Sequence, residues 1–387
     1  MNPDGLAMIL KEVLRDTSTP SYWHSSSTKP DIHYLRKPPE YVTVAIVGGG
    51  IMGVSTAYWL ARAAVDVLVI ERRGLAWGAS GRNAGVVTIG PADEHVHAVQ
   101  KLGRAVARQI TQSTVTNQQL LETVIREEGV AVGYSNGGFL SLACSDAELQ
   151  ILEDSSSLMR ADGFPADMLD RAECEELIGT KLGPRFLAGA YSPGDSKLHP
   201  VDYVHGMALA SHRRGVQLLI AAAVSAPYCE DNIWSLSTSL GTIKAQHIVL
   251  ATNESVCRFL PALDGAIAAV DSQIILTGPT SIRMQVGWAA NEASEYGCQT
   301  SSGGVMIGGR LNQDNTALSL PDAQVLLTGY LNASFPALRA LRATHYWTGT
   351  MGVTKDNLPI VTNGVRILQT NGARWLRCSG HGHPPSW

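Results

Sequence analysis

Apolar and polar positions divide most of this chain into short buried strands and amphipathic helices. Residues 42–47 (VTVAIV) are an unbroken, β-branched apolar run, which reads as a strand covered on both faces. Three glycines follow at once, and after them Val54, Ala57, Leu60 and Ala61 recur at helical spacing. A second apolar run over 65–70 predicts another strand, ending in Glu71. Between Asp93 and Gly129, Val96, Val99, Leu102, Val106 and Ile110 carry one long helical periodicity. Strands are expected at 138–143, 274–276 and 305–307, and helices at 146–161, 203–215 and 321–333. Residues 1–40 form a Ser/Thr/Pro-rich leader with a short amphipathic stretch at 6–14. Tyr22 and Trp23 are placed to anchor it on the domain that follows. Strand and helix patterns that alternate in this way predict an α/β architecture.

The junction after the first strand carries the most specific chemistry. Gly48-Gly49-Gly50-Ile51-Met52-Gly53 is G-x-G-x-x-G between a strand and a helix. In that setting Gly48 allows a tight turn, Gly50 lets backbone approach a pyrophosphate, and Gly53 lets the helix pack closely on the strand. The helix start offers free N–H groups and a partial positive charge to the diphosphate. Glu71, 23 residues past Gly48, is placed to accept hydrogen bonds from a ribose diol. Its charge disfavours a ribose 2′-phosphate, although Arg72 and Arg73 follow directly. The motif alone does not separate NAD from FAD.

A second small-residue loop, Gly78-Ala79-Ser80-Gly81-Arg82-Asn83-Ala84-Gly85, starts seven residues after Glu71. A nicotinamide domain would usually enter its next helix or crossover there, whereas such a loop suits a wrap around a flat buried ring and its diphosphate. From here the chain resembles the D-amino-acid oxidase superfamily of FAD-dependent oxidoreductases, in its glycine/sarcosine oxidase-like branch. Leu198-His199-Pro200 with the 203–215 helix looks like one family signature. Gly241-Thr242-Ile243 with residues 247–253 (HIVLATN) looks like another. Trp347-Thr348-Gly349 with residues 354–359 (TKDNLP) resembles the late signature, and Gly380-His381-Gly382 the closing flavin loop. Together these span roughly residues 41–382.

The resemblance implies a Rossmann-like FAD-binding domain interleaved with an α+β substrate domain built on a mixed, largely antiparallel sheet. The expected division is a leader at 1–40, an FAD-binding domain at 41–92, 198–261 and 345–387, and a substrate domain at 93–197 and 262–344. It also implies hydride transfer from the carbon bearing nitrogen of an amine or amino acid to flavin N5. The imine is then hydrolysed, and O2 reoxidises the flavin to give H2O2; a flavin dehydrogenase with another acceptor is the alternative. The cofactor does the redox chemistry and the protein orients the substrate, so no catalytic base is nominated. Expected FAD contacts are Gly48, Gly50, Ile51, Met52, Gly53, Glu71 and Arg72 for the ADP half. Ser80, Arg82, Asn83 and Gly85 would serve the diphosphate and ring. Gly380, His381 and Gly382 would meet the far edge, with Asp356 and Leu358 shaping the last loop. Asp356 reads equally as a turn residue before Pro359. Substrate candidates are Arg310, Tyr296 and Trp347. Arg310 reads alternatively as a solvated loop arginine and Trp347 as a core aromatic, while Tyr296 is followed by Gly297-Cys298-Gln299 where relatives place an Arg, which weakens a simple α-amino acid as substrate. Gly349–Val353 holds no Cys and the 78–85 loop no His, so FAD is expected to be non-covalent.

Composition narrows the partners. The 387 residues are 45% hydrophobic and 17% charged, with 38 glycines and a net charge of −4. That charge balance, with no basic stripe, disfavours nucleic acid and acidic membrane surfaces. Six scattered cysteines without a C-x-x-C pair read as reduced thiols, and the eleven histidines lack metal-ligand spacing, so no metal is expected. With no signal-peptide pattern at the start, the cytoplasm is the expected compartment. Relatives are expected to continue past the Gly380–Gly382 loop into a final helix, whereas Pro384-Pro385 precedes the end at Trp387. The pattern therefore suggests a C-terminally truncated member, with weaker FAD retention or a binding role as the consequence.

Overall fold

The computed structural model describes residues 20–225, 227–309 and 320–362, together with the backbone of the strand at 374–376. Arg310, Gly380, His381, Gly382, the 6–14 stretch and the chain end lie outside the described residues.

In chain order the described elements begin with helix α1 (Tyr22–Ser26) and strand β1 (Tyr41–Val47). Helix α2 (Ile51–Arg62) and strands β2 (Val67–Ile70) and β3 (Val86–Val87) follow. Helices α3 (His95–Leu102) and α4 (Arg104–Glu128) come next, then β4 (Phe139–Leu142), α5 (Asp146–Ala161), β5 (Asp167–Leu169) and α6 (Arg171–Ile178). Strands β6 (Gly189–Ser192) and β7 (Ser196–Lys197), helix α7 (Pro200–Arg213) and strand β8 (Gln217–Leu219) complete the first half. The second half holds β9 (Tyr228–Glu230), β10 (Ile233–Thr238), β11 (Gly241–Leu250), β12 (Ile267–Pro279), β13 (Gly287–Ala290), β14 (Glu295–Gln299) and β15 (Gly304–Gly309). It closes with α8 (Leu320–Ser334), β16 (Ala343–Thr354) and β17 (Arg374–Leu376).

The long periodicity after Asp93 is two helices, because Gly103 takes φ +83 and turns the chain between them. Caps fix other boundaries. Ser145 accepts from the Glu148 amide, Asp170 and Glu173 form a capping box, and the His199 ring accepts from the Asp202 amide ahead of Pro200.

The first sheet runs β8-β2-β1-β11-β10-β9, with β17 also paired to β11. Its centre, β8-β2-β1-β11, is parallel, which explains why β1 and β2 are nearly all apolar: both faces are covered. On one face Val44, Ile46, Val67 and Val69 pack against Ala57 and Tyr58 of α2 and Val204 and Met207 of α7. On the other, Ala45, Val47, Leu68 and Ile70 meet Val256 and Leu263.

The second sheet runs β16-β12-β15-β14-β13-β4-β6-β5. Every pair in it is antiparallel except β13 with β4, so it is mixed and largely antiparallel as expected. Alternation along its strands sends Ile275, Val305 and Ile307 toward α8 and α6. Ile274, Leu276, Met306 and Trp347 go toward the first domain, where they join the α2/α7 cluster. One apolar core thus runs continuously between the two units.

Two expectations need correction. Residues 345–354, placed by sequence with the FAD-binding stretch, pair along β12 from Ile267↔Thr354 to Leu276↔His345 and so belong to the second sheet. The long ladder, not motif proximity, decides their membership. Cys144, Cys174, Cys257 and Cys298 are reduced, but Cys229, on the exposed strand β9, is disulfide-bonded.

Candidate functional site

The carboxyl ends of β1 and β11 lie side by side, where the sheet continues to β2 on one side of β1 and to β11 on the other. This is the position at which open α/β sheets bind ligands. Gly48 ends β1 with φ +117, and a Cβ there would lie 2.4 Å from the Ala251 carbonyl oxygen. A Cβ on Gly53 would lie 1.9 Å from the Gly48 carbonyl oxygen, so glycine is what seats α2 against the turn. At Gly50 a Cβ would lie 2.9 Å from Ser80 Oγ, the oxygen that accepts the Ile51 amide at 2.9 Å. The first turn of α2 is therefore bound to the second glycine loop. Ile51 and Met52 are each 41% exposed at this helix start, large apolar groups left for a ligand to cover.

Glu71 closes the turn from below. Its Oε2 accepts the Gly49 amide at 2.7 Å and its Oε1 the Arg73 amide at 2.8 Å. Burial pushes its carboxyl above the usual carboxylate range, while the two amides pull it back. Each oxygen keeps a lone pair for a further donor such as a ribose hydroxyl. Cationic groups gather nearby. Arg82 is 5% exposed, and burial together with neighbouring Arg73 lowers its guanidinium to about 10. An anion beside the two would relieve that cost. Thr252 Oγ1, just past β11, is buried without a hydrogen-bond partner among the described residues. Donors, a helix N-terminus, an acidic ribose acceptor and clustered arginines together fit the ADP half of a dinucleotide.

The second loop is held mostly by its own side chains. Asn83 Nδ2 donates to the Ala79 and Ser80 carbonyls at 3.1 Å, and its Oδ1 accepts the Gly85 amide at 2.8 Å. Gly85, with φ +72, presses on Leu198, whose carbonyl oxygen a Cβ would meet at 2.4 Å. Arg82 works across the domain junction: its Nε donates to the Trp77 carbonyl at 2.9 Å and its Nη1 to the Thr348 carbonyl at 3.1 Å. Trp347 Nε1 donates to the Arg82 carbonyl at 2.9 Å. The structure thus brings Arg82, Trp347 and the 78–85 loop together.

Other expected residues sit differently. Tyr296 lies on the face of the second sheet turned toward the first domain, with its hydroxyl 2.5 Å from Ser272 Oγ. Trp347 is 1% exposed and packed in the shared core. Asp356 Oδ1 accepts the Leu358 amide at 3.1 Å within its own turn, and Thr354 Oγ1 donates to the Leu358 carbonyl at 2.8 Å. That geometry is the turn role weighed for Asp356 from sequence. Arg72 adjoins Glu71 and adds positive charge beside it.

Two features escaped sequence reasoning. Asp195 is 3% exposed, its Oδ1 accepts the Ile89 amide at 2.8 Å just beyond the loop, and burial raises its carboxyl to about 7. Ser21, Trp23 and His24 of the leader hydrogen-bond the 76–85 segment directly. The aromatic pair at 22–23 signalled an anchor, but nothing in the sequence named what it would touch.

Comparison with known proteins agrees with this geometry. The chain is 27% identical over 335 residues to an opine oxidase component of Agrobacterium tumefaciens (strain Ach5), covering 84% of this chain and 86% of that protein. It is 23% identical over 376 residues to the gamma-glutamylputrescine oxidoreductase of Escherichia coli (strain K12), covering 94% and 85%. The crystal structure of glycine oxidase from Geobacillus kaustophilus shares the fold, with a TM-score of 0.70 at 21% identity over 88% of this chain and 89% of that one. The model for the FAD dependent oxidoreductases (DAO) matches residues 43–385, and the chain belongs to that family.

Proposed function

We propose that this FAD-dependent enzyme oxidises a C–N bond of a small amine or amino-acid-like molecule, with O2 as electron acceptor. The observation that carries this reading is the clamp between Arg82 and β16, which lays the inner face of the second sheet over the 78–85 loop. FAD, when bound, supplies the two-electron acceptor for the hydride leaving the carbon next to nitrogen. The protein's part is to bind and orient. Gly48, Gly50, Gly53 and the start of α2 would hold the diphosphate, and Glu71 the ribose. Ser80 fixes the loop to the helix by accepting the Ile51 amide.

On the substrate side, Ser272, Tyr296 and Trp347 lie on the sheet face that adjoins the loop. The Tyr296–Ser272 hydroxyl pair gives that face a polar handle in otherwise apolar surroundings. Arg310, directly after β15, is the proposed clamp for a carboxylate, in bidentate geometry. The substrate loses a hydride and a proton to become an imine, which water hydrolyses; O2 takes two electrons and two protons to give H2O2. Relatives named for opine and gamma-glutamylputrescine support an amine substrate that carries further polar groups. FAD is proposed to be held without a covalent bond.

The test is anaerobic mixing of the FAD-loaded protein with N-alkyl amino acids and N-substituted diamines, followed by air. Bleaching of the flavin bands, then oxygen uptake with matching peroxide, is the expected result. Bleaching without oxygen uptake would move the assignment to a dehydrogenase, and bleaching by NADH alone would overturn it.

A further inference from the structure

We propose that residues 21–28 are a latch that sets the cofactor-holding shape of the 76–85 loop, with Ser21, Trp23 and His24 as its positioning residues. Helix α1 has only five residues, far too few to persist alone, so its order depends on docking. It docks on that loop through contacts to three carbonyls. Trp23 Nε1 donates to Asn83 O at 2.7 Å and His24 Nε2 to Ala76 O at 3.2 Å, while the one hydroxyl proton of Ser21 is shared between Gly81 O at 2.6 Å and His24 Nδ1 at 2.7 Å. A carbonyl can only accept, so His24 carries its proton on Nε2. Burial and the nearby Arg82 lower its pKa to about 4, which keeps the ring neutral.

Holding a carbonyl holds its peptide plane, because C=O and the next N–H point in opposite directions across a trans peptide. Fixing Asn83 O thereby aims the Ala84 amide away from the latch. The glycines of the loop answer to the latch as well. A Cβ on Gly81 would lie 2.9 Å from the His24 ring, and one on Gly85 would lie 3.4 Å from Trp23 Cζ2.

The latch also spans the domain junction. Tyr22 Oη donates to Ser302 Oγ at 2.9 Å, and its ring stands 5.6 Å from that of His345 in the second sheet. Toward α7, Nε2 of His199 donates to Ser26 Oγ at 2.9 Å and Ser27 Oγ donates to Asp202 Oδ1 at 2.6 Å. One short segment therefore ties the loop, α7 and the substrate sheet together. If the docked latch favours the binding shape of the loop, FAD must in turn favour the docked latch.

The inference rests on the reading that the 78–85 loop holds FAD, and the experiment separates the two. FAD is titrated into stripped wild type, Trp23→Phe, the double variant Ser21→Ala/Trp23→Phe, and, as a control outside the latch, Ser113→Ala on the exposed face of α4. Melting temperature is measured on each stripped protein, and amide hydrogen exchange over 21–28 on wild type with and without FAD. Losing one such hydrogen bond should raise the FAD Kd roughly threefold to tenfold, and the double variant further. The stripped melting temperatures should stay unchanged, Ser113→Ala should bind like wild type, and FAD should slow exchange over 21–28. Unchanged Kd in both Trp23 variants, or Kd losses that merely follow lost stripped-state stability, would overturn the latch. If the variants fail to fold, exchange over 21–28 that FAD does not slow overturns it on wild type alone. Wild type that takes up no FAD overturns the reading of the loop and the latch with it.

Discussion

Asp195→Asn isolates the carboxyl buried beside the exit of the second glycine loop. In the fold this group is 3% exposed, and burial raises its pKa from an ordinary 3.8 to about 7. A group whose folded pKa is raised contributes full stability below its unfolded pKa. That stability is lost as pH rises through the folded value, so the window is about pH 4 to pH 7. Each pH unit of separation is worth about 1.4 kcal/mol, which gives an upper bound near 4 kcal/mol across the window. Solvent relaxation lowers this to about 2–4 kcal/mol in practice. Asparagine keeps the oxygen that accepts the Ile89 amide and removes the titration. Urea unfolding of both proteins, followed by tryptophan fluorescence between pH 4.5 and 8, should show similar stabilities at the acid end. The variant should pull ahead by about 2–4 kcal/mol at pH 8. A difference that does not change with pH, or a variant that loses ground as pH rises, would refute the reasoning.

The remaining predictions concern the cofactor and substrate. Gly50→Val should abolish FAD uptake while the chain stays folded, because the new Cβ would press on Ser80 Oγ and displace it from the Ile51 amide. Full flavin content in the purified variant would count against this site. Gly53→Ala should cost at least about 1–3 kcal/mol of stability, since backbone must move where a Cβ would lie 1.9 Å from Gly48 O; an unchanged urea midpoint would contradict this. Acid precipitation should leave yellow supernatant and colourless pellet, and flavin retained by the denatured chain would show a covalent bond. Arg310→Lys should raise the KM for a carboxylated substrate severalfold with kcat little changed, since lysine lacks the planar fork; an unaltered KM removes Arg310 from the site.

The strand–turn–helix–strand of residues 41–71 was legible in the sequence because its requirements are local. Only glycine tolerates φ +117 at Gly48 or the close approach at Gly53, and unbroken β-branched runs on either side require a covered parallel sheet. The acidic residue after β2 follows from the same 30-residue unit. The family signatures at 198–215, 241–253 and 347–359 were equally readable as patterns, but their partners were not. Tertiary structure alone decided that β16 pairs with β12, and that Arg82 spends donors on Trp77 and Thr348. It alone placed Trp23 on Asn83 and left Asp195 buried with its proton-binding shifted. The physical reason is sequence separation. Turn geometry and hydrophobic period act within a few residues, so composition at a position reveals them. A hydrogen bond between residues 60 or 266 positions apart leaves no local imprint, because any donor of suitable length would read the same until the chain has folded around it.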